Sequence, residues 1–343
     1  MSRSRLWQAA AIAVLAGVGS QAWAAGESCN RACLEGFVDK YLDAVIANQP
    51  SMVPLASGAR FTEDGVQLAI GDGLWNTMRA KGKYRLFVSD VTAGQVAFFG
   101  SIEEDNRDPA QGTPALIALR LKIRGMKITE VEQLVIRDEN AAKKVNEMTV
   151  NPVYLQETPA AERMSRAALI EVSNKYFTGM QKNDGKGDYP FADDCNRIEN
   201  GGQSTNAPTP PGQTRPDPKT STNYSGQWSC MEQFKSGLLH FVYRIRDRRF
   251  VAVDEERGIV FAFGFFDHPG GATRTFTTPD GRSVTAGPVQ PWTWQLGELF
   301  KVENGKIHKI EALLHRVPYG MNSGWSTWAE GMSDRARDVT AMK

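Results

Sequence analysis

The chain carries no surplus of charge: 40 Lys and Arg stand against 39 Asp and Glu over 343 residues. This balance removes the electrostatic basis for binding nucleic acid or an anionic membrane. Histidine and cysteine are scarce, four of each, and neither follows CxxC or HExxH spacing, so no metal site is expected. The GxSxG elbow and the GxxxxGK[ST] loop are absent, and Gly71 and Gly73 lack the third glycine of a dinucleotide fingerprint. After residue 24 no apolar run approaches the roughly 20 residues that a membrane helix requires.

What is present begins with an export signal. Arg3 and Arg5 precede the apolar run Ala9 to Val18, and Ala22 and Ala24, either side of Trp23, supply small residues at the cleavage positions. Residues 1–24 are therefore expected to be removed, leaving a protein that is periplasmic or outside the cell, with no membrane association thereafter. In an oxidising compartment an even number of cysteines reads as disulfides. Three connectivities exist for Cys29, Cys33, Cys195 and Cys230, and locality within each half favours Cys29–Cys33 and Cys195–Cys230. The first requires the opening helix to start after Cys29, because i,i+4 positions of a regular helix do not readily meet disulfide geometry. The second restricts the unfolded chain by roughly 3 kcal/mol.

The mature chain repeats itself. Lys40, Tyr41 and Leu42 are matched by Lys175, Tyr176 and Phe177 in helical patterns, and Glu63-Asp64-Gly65 by Glu199-Asn200-Gly201. Asp90, Gly94, Val96 and Gly100 recur at the same spacing as Asp254, Gly258, Val260 and Gly264. Lys122, Lys127, Ile128, Glu132 and Arg137 recur as Lys301, Lys306, Ile307, Glu311 and Arg316. Each copy runs from an amphipathic helix to β-rich segments and a closing hairpin, turned at Gly125-Met126 or at Asn304-Gly305. This is an α+β grammar. The expected domains are 25–140 and 163–343, joined by a polar linker at 141–162.

The opening helix through Tyr176, the Glu199-Asn200-Gly201 turn and the hairpin from Leu299 to Ala312 resemble NTF2-like domains. That group includes ketosteroid isomerase, scytalone dehydratase, limonene epoxide hydrolase and the SnoaL-like cyclases. The resemblance implies two tandem cone domains, each a curved antiparallel sheet wrapped around helices. It further implies a pocket inside the cone, acid/base chemistry without an organic cofactor, and homo- or heterodimers formed through the sheets. The export signal, tandem domains and aromatic supply are also similar to those of the secreted, glutathione-independent enzymes that cleave β-aryl ethers in lignin-derived compounds.

Candidate chemistry concentrates in the second copy. Folding its closing hairpin about Asn304-Gly305 pairs Val302 with Ile307, Glu298 with Glu311 and Trp294 with His315. Alternation then places Trp294, Glu298, Glu311 and His315 on one face, where neighbouring carboxylates raise a pKa and an imidazole titrates beside them. The same folding in the first copy pairs Glu132 with the apolar Leu119, so that copy is expected to be scaffold. His240, Tyr243, Arg244 and Asp247 fall at i, i+3, i+4 and i+7, which reads as one helical face. His268 sits at a strand end, and Tyr319 and Trp325 follow the last strand, near a cone mouth. The long segments 203–229 and 269–291 read as loops, the first as a lid tethered by Cys230. Together these features suggest a cofactor-independent lyase, hydrolase or isomerase acting on an aromatic small molecule, with a non-enzymatic secreted binding module as the alternative.

Overall fold

The computed structural model describes residues 29–339; the proposed export signal at 1–24 lies outside them. The first copy opens with α1 (Arg31–Ile46), capped by the Asn30 side chain. The helix therefore begins two residues after Cys29, and the Cys29–Cys33 bridge is formed. Leu34, Phe37, Val38, Tyr41, Leu42 and Val45 are its buried stripe. The strands that follow are β1 (Leu55–Glu63), β2 (Val66–Gln67), β3 (Met78–Asp90), β4 (Gln95–Asp105), β5 (Gly112–Arg124) and β6 (Lys127–Ile136), joined in the order β2-β1-β6-β5-β4-β3. Only β1 and β6 run parallel; every other pair is antiparallel.

The expected linker is ordered. α2 (Glu139–Glu147) begins two residues before it and runs into it, with Ala142 and Val145 buried against the first sheet. The second copy then repeats the plan with α3 (Arg166–Met180), β7 (Phe191–Glu199), β8 (Gly202–Gln203), α4 (Cys230–Lys235), β9 (Arg244–Asp254) and β10 (Ile259–His268). It continues through β11 (Thr275–Thr277), β12 (Ser283–Thr285), β13 (Trp292–Glu303), β14 (Lys306–Val317), α5 (Trp328–Gly331) and β15 (Arg337–Asp338). Its main sheet has the order β15-β9-β10-β13-β14-β7-β8, and β7 again pairs in parallel with the closing strand. Both copies are α+β: a curved sheet around a long helix. Among the described residues no helix is long and apolar enough to cross a membrane.

The duplicated motifs explain local geometry. Asp64-Gly65, Asn200-Gly201, Gly125-Met126 and Asn304-Gly305 all hold positive φ at both residues, which matches the twist of tight hairpins. Gly94 and Gly258 also sit in the left-handed region, where a Cβ would meet the carbonyl of Ile123 at 2.9 Å or of Val302 at 2.4 Å.

Each sheet is buried on both faces. Val96, Phe98 and Ile102 of β4 face α1, whereas Ala97 and Phe99 face the other copy. In β10, Val260, Ala262 and Phe266 face α3, and Ile259, Phe261 and Phe263 face the first sheet. Phe99 meets Phe261 edge-on at 5.0 Å. The sheet faces through which the resemblance implies pairing are thus buried against each other within one chain. Charged contacts cross this boundary reciprocally. Arg31, at the start of α1, pairs with Asp254, and Arg166, at the start of α3, pairs with Asp90 at 2.7 Å.

The hairpin registers differ from the simple folding about each turn. Both hairpins carry a one-residue irregularity, between Lys122 and Ile123 and between Lys301 and Val302. It leaves Thr129 and His308 without cross-strand partners, as a β-bulge does. Glu298 therefore faces Ala312, and Glu311 faces Leu299; in the first copy Gln133 faces Leu119, and Glu132 faces Arg120. A slip of one residue moves a side chain to the other face, and both duplicated glutamates point at the opposite copy. Glu132 receives two hydrogen bonds from Arg249, at 2.8 and 2.6 Å, and a third from Arg120 at 3.3 Å, with all three residues buried. Glu132→Gln removes the buried carboxylate that these two guanidiniums share, leaving Arg249 with Asp247 and Arg120 with Glu130, and should cost about 1.5–3 kcal/mol, measured as the free energy of urea unfolding.

Candidate functional site

The two cones have the same frame and different fillings. In the first, Tyr41 Oη donates to Gln133 Oε1 at 2.9 Å, Gln133 Nε2 donates to Glu63 Oε2 at 3.0 Å, and Trp75 packs edge-on against Tyr41 at 5.4 Å. These side chains close the space between helix and sheet. In the second, Ala312 stands where the first has Gln133, and Glu298 where the first has Leu119. The smaller residue at 312 leaves a cavity of about 120 Å³, lined in part by Arg197, Glu199, Tyr224, Phe241, His268 and Trp294, with Glu298 in its wall.

The polar floor is built from the duplicated frame. Tyr176, on the buried stripe of α3, accepts a hydrogen bond from Arg197 Nη1 at 3.3 Å. Arg197 Nη2 donates to Gln233 Oε1 at 2.8 Å. Gln233 belongs to α4, which a Ser229–Glu232 capping box starts and the Cys195–Cys230 bridge ties to β7. The disulfide thereby fixes the residue that orients the arginine. Arg197 Nε lies 3.3 Å from Glu199 Oε1, and Ser204 Oγ donates to Glu199 Oε2 at 2.9 Å.

Glu298 is 1% exposed. Burial, reinforced by the Glu199 carboxylate, pushes its pKa up to about 8, against smaller opposing effects of Tyr176 and Arg197. At neutral pH it is a carboxylic acid and can donate a proton. Burial moves His268 the other way, to about 4, so its ring is neutral; it stacks on Trp292 at 4.3 Å. Three buried polar atoms in this one wall have no hydrogen-bond partner: Glu298 Oε2, Arg197 Nε and His268 Nδ1. Unmatched buried polar groups are costly, and here they surround a space.

Of the residues singled out in the sequence, Glu298, Trp294 and His268 line this cavity. The bulge carries Glu311 and His315 away from it. Glu311 accepts from Tyr84 Oη at 2.5 Å, across the boundary between the copies. His315 Nε2 meets Gln295 Oε1 at 3.1 Å, and burial, with Arg137 nearby, lowers its pKa to about 4. The face shared by Glu298, Glu311 and His315 does not form.

The helix expected through His240 and Asp247 is not formed either. Turns occupy 236–241, and β9 begins at Arg244. Consecutive apolar residues around 238–245 imitate a helical stripe but serve a loop and a strand buried on both faces. His240 packs on Phe276, Tyr243 lies under Lys182, and Arg244 pairs with Asp267 at 2.7 Å. Asp247 is buried beside Arg249 and Arg337. Tyr319 is exposed, and Trp325 bonds Thr62 of the first copy at 2.7 Å, between Arg60 and Arg120; neither lines the cavity.

The segment 203–229 supplies Tyr224 to the cavity and packs Trp228 into a small core with Phe276 and Val284 of the second long segment. The sequence reading missed Arg197, Glu199, Gln233 and Tyr224 as parts of a site. The match of Glu63 with Glu199 and the Ser229–Glu232 spacing were the available signals.

A family model described as a domain of unknown function (DUF8021) matches the chain over residues 27–135 and 162–314. These stretches run from opening helix to closing hairpin of each copy. Among solved structures, the crystal structure of AclR, a candidate hydroxylase from Streptomyces galilaeus, is similar at 12% identity and a TM-score of 0.26, covering 37% of this chain and 93% of AclR. No curated protein matches.

The raised pKa of Glu298 is a statement about stability. Between the ordinary glutamate value of 4.5 and about 8, the folded chain holds a proton that the unfolded chain has lost, so stability falls as pH rises through this window. Glu298→Gln removes that term. Its melting temperature relative to the natural protein should rise steadily from pH 5 to pH 8, as followed by calorimetry across the range.

Proposed function

The chain belongs to the DUF8021 family, and we propose that its second copy is the working half of an exported acid/base enzyme for aromatic small molecules. The observation that carries this reading is the convergence, on one aromatic-walled cavity, of the unpartnered Glu298 Oε2 and His268 Nδ1 with the Arg197–Glu199 ion pair. A cavity of about 120 Å³ is close to the ~150 Å³ that suffices for benzene in an engineered protein core. The ligand is therefore a single ring, held between Trp294, Phe241 and Tyr224, bearing an oxygen that reaches Glu298.

Glu298 is the general acid. Its O–H delivers the proton to the departing oxygen as the carbon–oxygen bond breaks and the electron pair moves onto that oxygen. The Glu199 carboxylate takes the proton of the water or neighbouring hydroxyl that attacks the carbon. Arg197 positions Glu199 and offers Nε–H to a ligand oxygen. Neutral His268 and the indoles supply a flat, weakly polar wall. Ether cleavage fits this division of labour: water adds across the bond, giving a phenol and an alcohol. The two disulfides suit export to a periplasm or beyond, where such thiols remain oxidised.

The test is a turnover screen of single-ring aromatic ethers, esters and ketones, including β-aryl ethers. Turnover is expected, with kcat/KM falling as pH rises through about 8, the value for Glu298. Glu298→Gln should lower kcat by about 10²–10⁴-fold with the fold retained. Saturable binding without product, or turnover indifferent to Glu298→Gln, overturns the reading.

A further inference from the structure

A second cavity, of about 310 Å³, lies between the copies. Its walls are Tyr84 of the first sheet, Met148 to Pro152 and Tyr154 of the connection, and Asn196, Ile198 and Lys309 to Glu311 of the second sheet. Glu311 is 3% exposed and Tyr154 is 2% exposed. Among the described residues, the Glu311 carboxylate accepts one hydrogen bond, from Tyr84, and the Tyr154 hydroxyl has no partner. A buried carboxylate and a buried phenol thus face the same space with bonding capacity unused.

The duplication shows what this position holds when it is filled. Glu132 is the counterpart of Glu311, and Arg120 the counterpart of Leu299. In the first copy the glutamate is clasped by the guanidiniums of Arg249 and Arg120. In the second copy Leu299 stands opposite Glu311, and the residue reaching over from the other sheet is Tyr84 instead of an arginine. The same backbone frame therefore has a carboxylate with two cations on one side, and on the other a carboxylate, two tyrosines and a space. Lys309, on the same strand, does not supply the missing charge, because its amine is bonded to the Asp194 carbonyl at 2.7 Å and carboxylate at 3.1 Å. Asn196 and Ile198 of β7 and Leu299 of β13 bring no charge to Glu311.

We infer that this inter-copy cavity is a binding site for a small organic cation, a guanidinium or ammonium group on a short apolar stem. The charged nitrogen sits on Glu311, within reach of the Tyr154 hydroxyl. Tyrosine rings beside it favour a cation over a neutral donor. Val150, Pro152, Ile198 and Ile310 receive the stem. The site is separate from the Glu298 cavity and does not rest on the enzymatic reading.

Binding requires the ionised carboxylate. Burial pushes the Glu311 pKa up to about 7, so the free protein holds a proton there at lower pH and a cation must displace it. Affinity should rise about tenfold between pH 6 and pH 8. The experiment is calorimetric titration of the intact protein with ethylguanidinium, using N-ethylurea as a neutral compound of the same shape. Ethylguanidinium is expected to bind saturably, with that pH dependence, and at least tenfold more tightly than N-ethylurea. Glu311→Gln, which can still accept from Tyr84, should weaken binding at least tenfold and flatten the pH dependence. Val150→Trp, which places an indole in the cavity and leaves the Glu311 side chain itself unchanged, should abolish binding. Lack of saturable binding, equal affinity for the urea, or binding unchanged in either folded variant overturns the assignment.

Discussion

The sheet faces turned away from α1 and α3 are buried against each other, and the rest of the molecule follows from that contact. Phe99, Phe261, Phe263, Leu299 and Leu313 form one continuous apolar layer with α2 and the first sheet, so strands such as β4 and β10 are enclosed on both sides. The layer is framed by exchanged charges. Each copy's opening helix sends an arginine to the aspartate that ends a strand of the other copy, Arg31 to Asp254 and Arg166 to Asp90. The arrangement is that of a symmetric dimer written into a single chain, and both copies are held to one frame.

Fusion in one chain frees each copy to change without its twin. On the inner side, the exchange of Gln133 and Leu119 for Ala312 and Glu298 converts a plugged cone into a hollow one with a protonated acid in its wall. On the outer side, the exchange of Arg120 for Leu299 converts a neutralised glutamate into one with a single tyrosine partner. Each change alters volume and charge together. Removing a Gln side chain opens the second cone, and low dielectric then raises the pKa of the carboxyl left beside the space.

The bulges at Thr129 and His308 determine which glutamate goes where. Without them the duplicated Glu132 and Glu311 would enter the cones; with them, both lie between the copies. A single unpaired residue per hairpin thus separates the acid of one cavity from the acid of the other. The Cys195–Cys230 bridge has a comparable reach. By holding α4 against β7 it places Gln233 on Arg197, and so sets the cone floor from outside the sheet.

Much of this was legible in the residue order. The duplication, the opening helices with their buried stripes, the Asp-Gly, Asn-Gly and Gly-Met turns, the α+β class and both cysteine pairs depend on local spacing, which survives without knowledge of the fold. Glu298, Trp294 and His268 could be singled out because they lie on strands whose alternation is plain. Bulge placement was beyond reach, because an extra residue leaves no mark in composition, and it moved Glu311 and His315 to another face. The false helix through His240 and Asp247 arose because a strand buried on both sides has no alternation to betray it. The residue order alone determined two α+β copies and their internal turns; only tertiary packing decided which carboxylates are buried, because burial of a strand face depends on what the other copy brings to it.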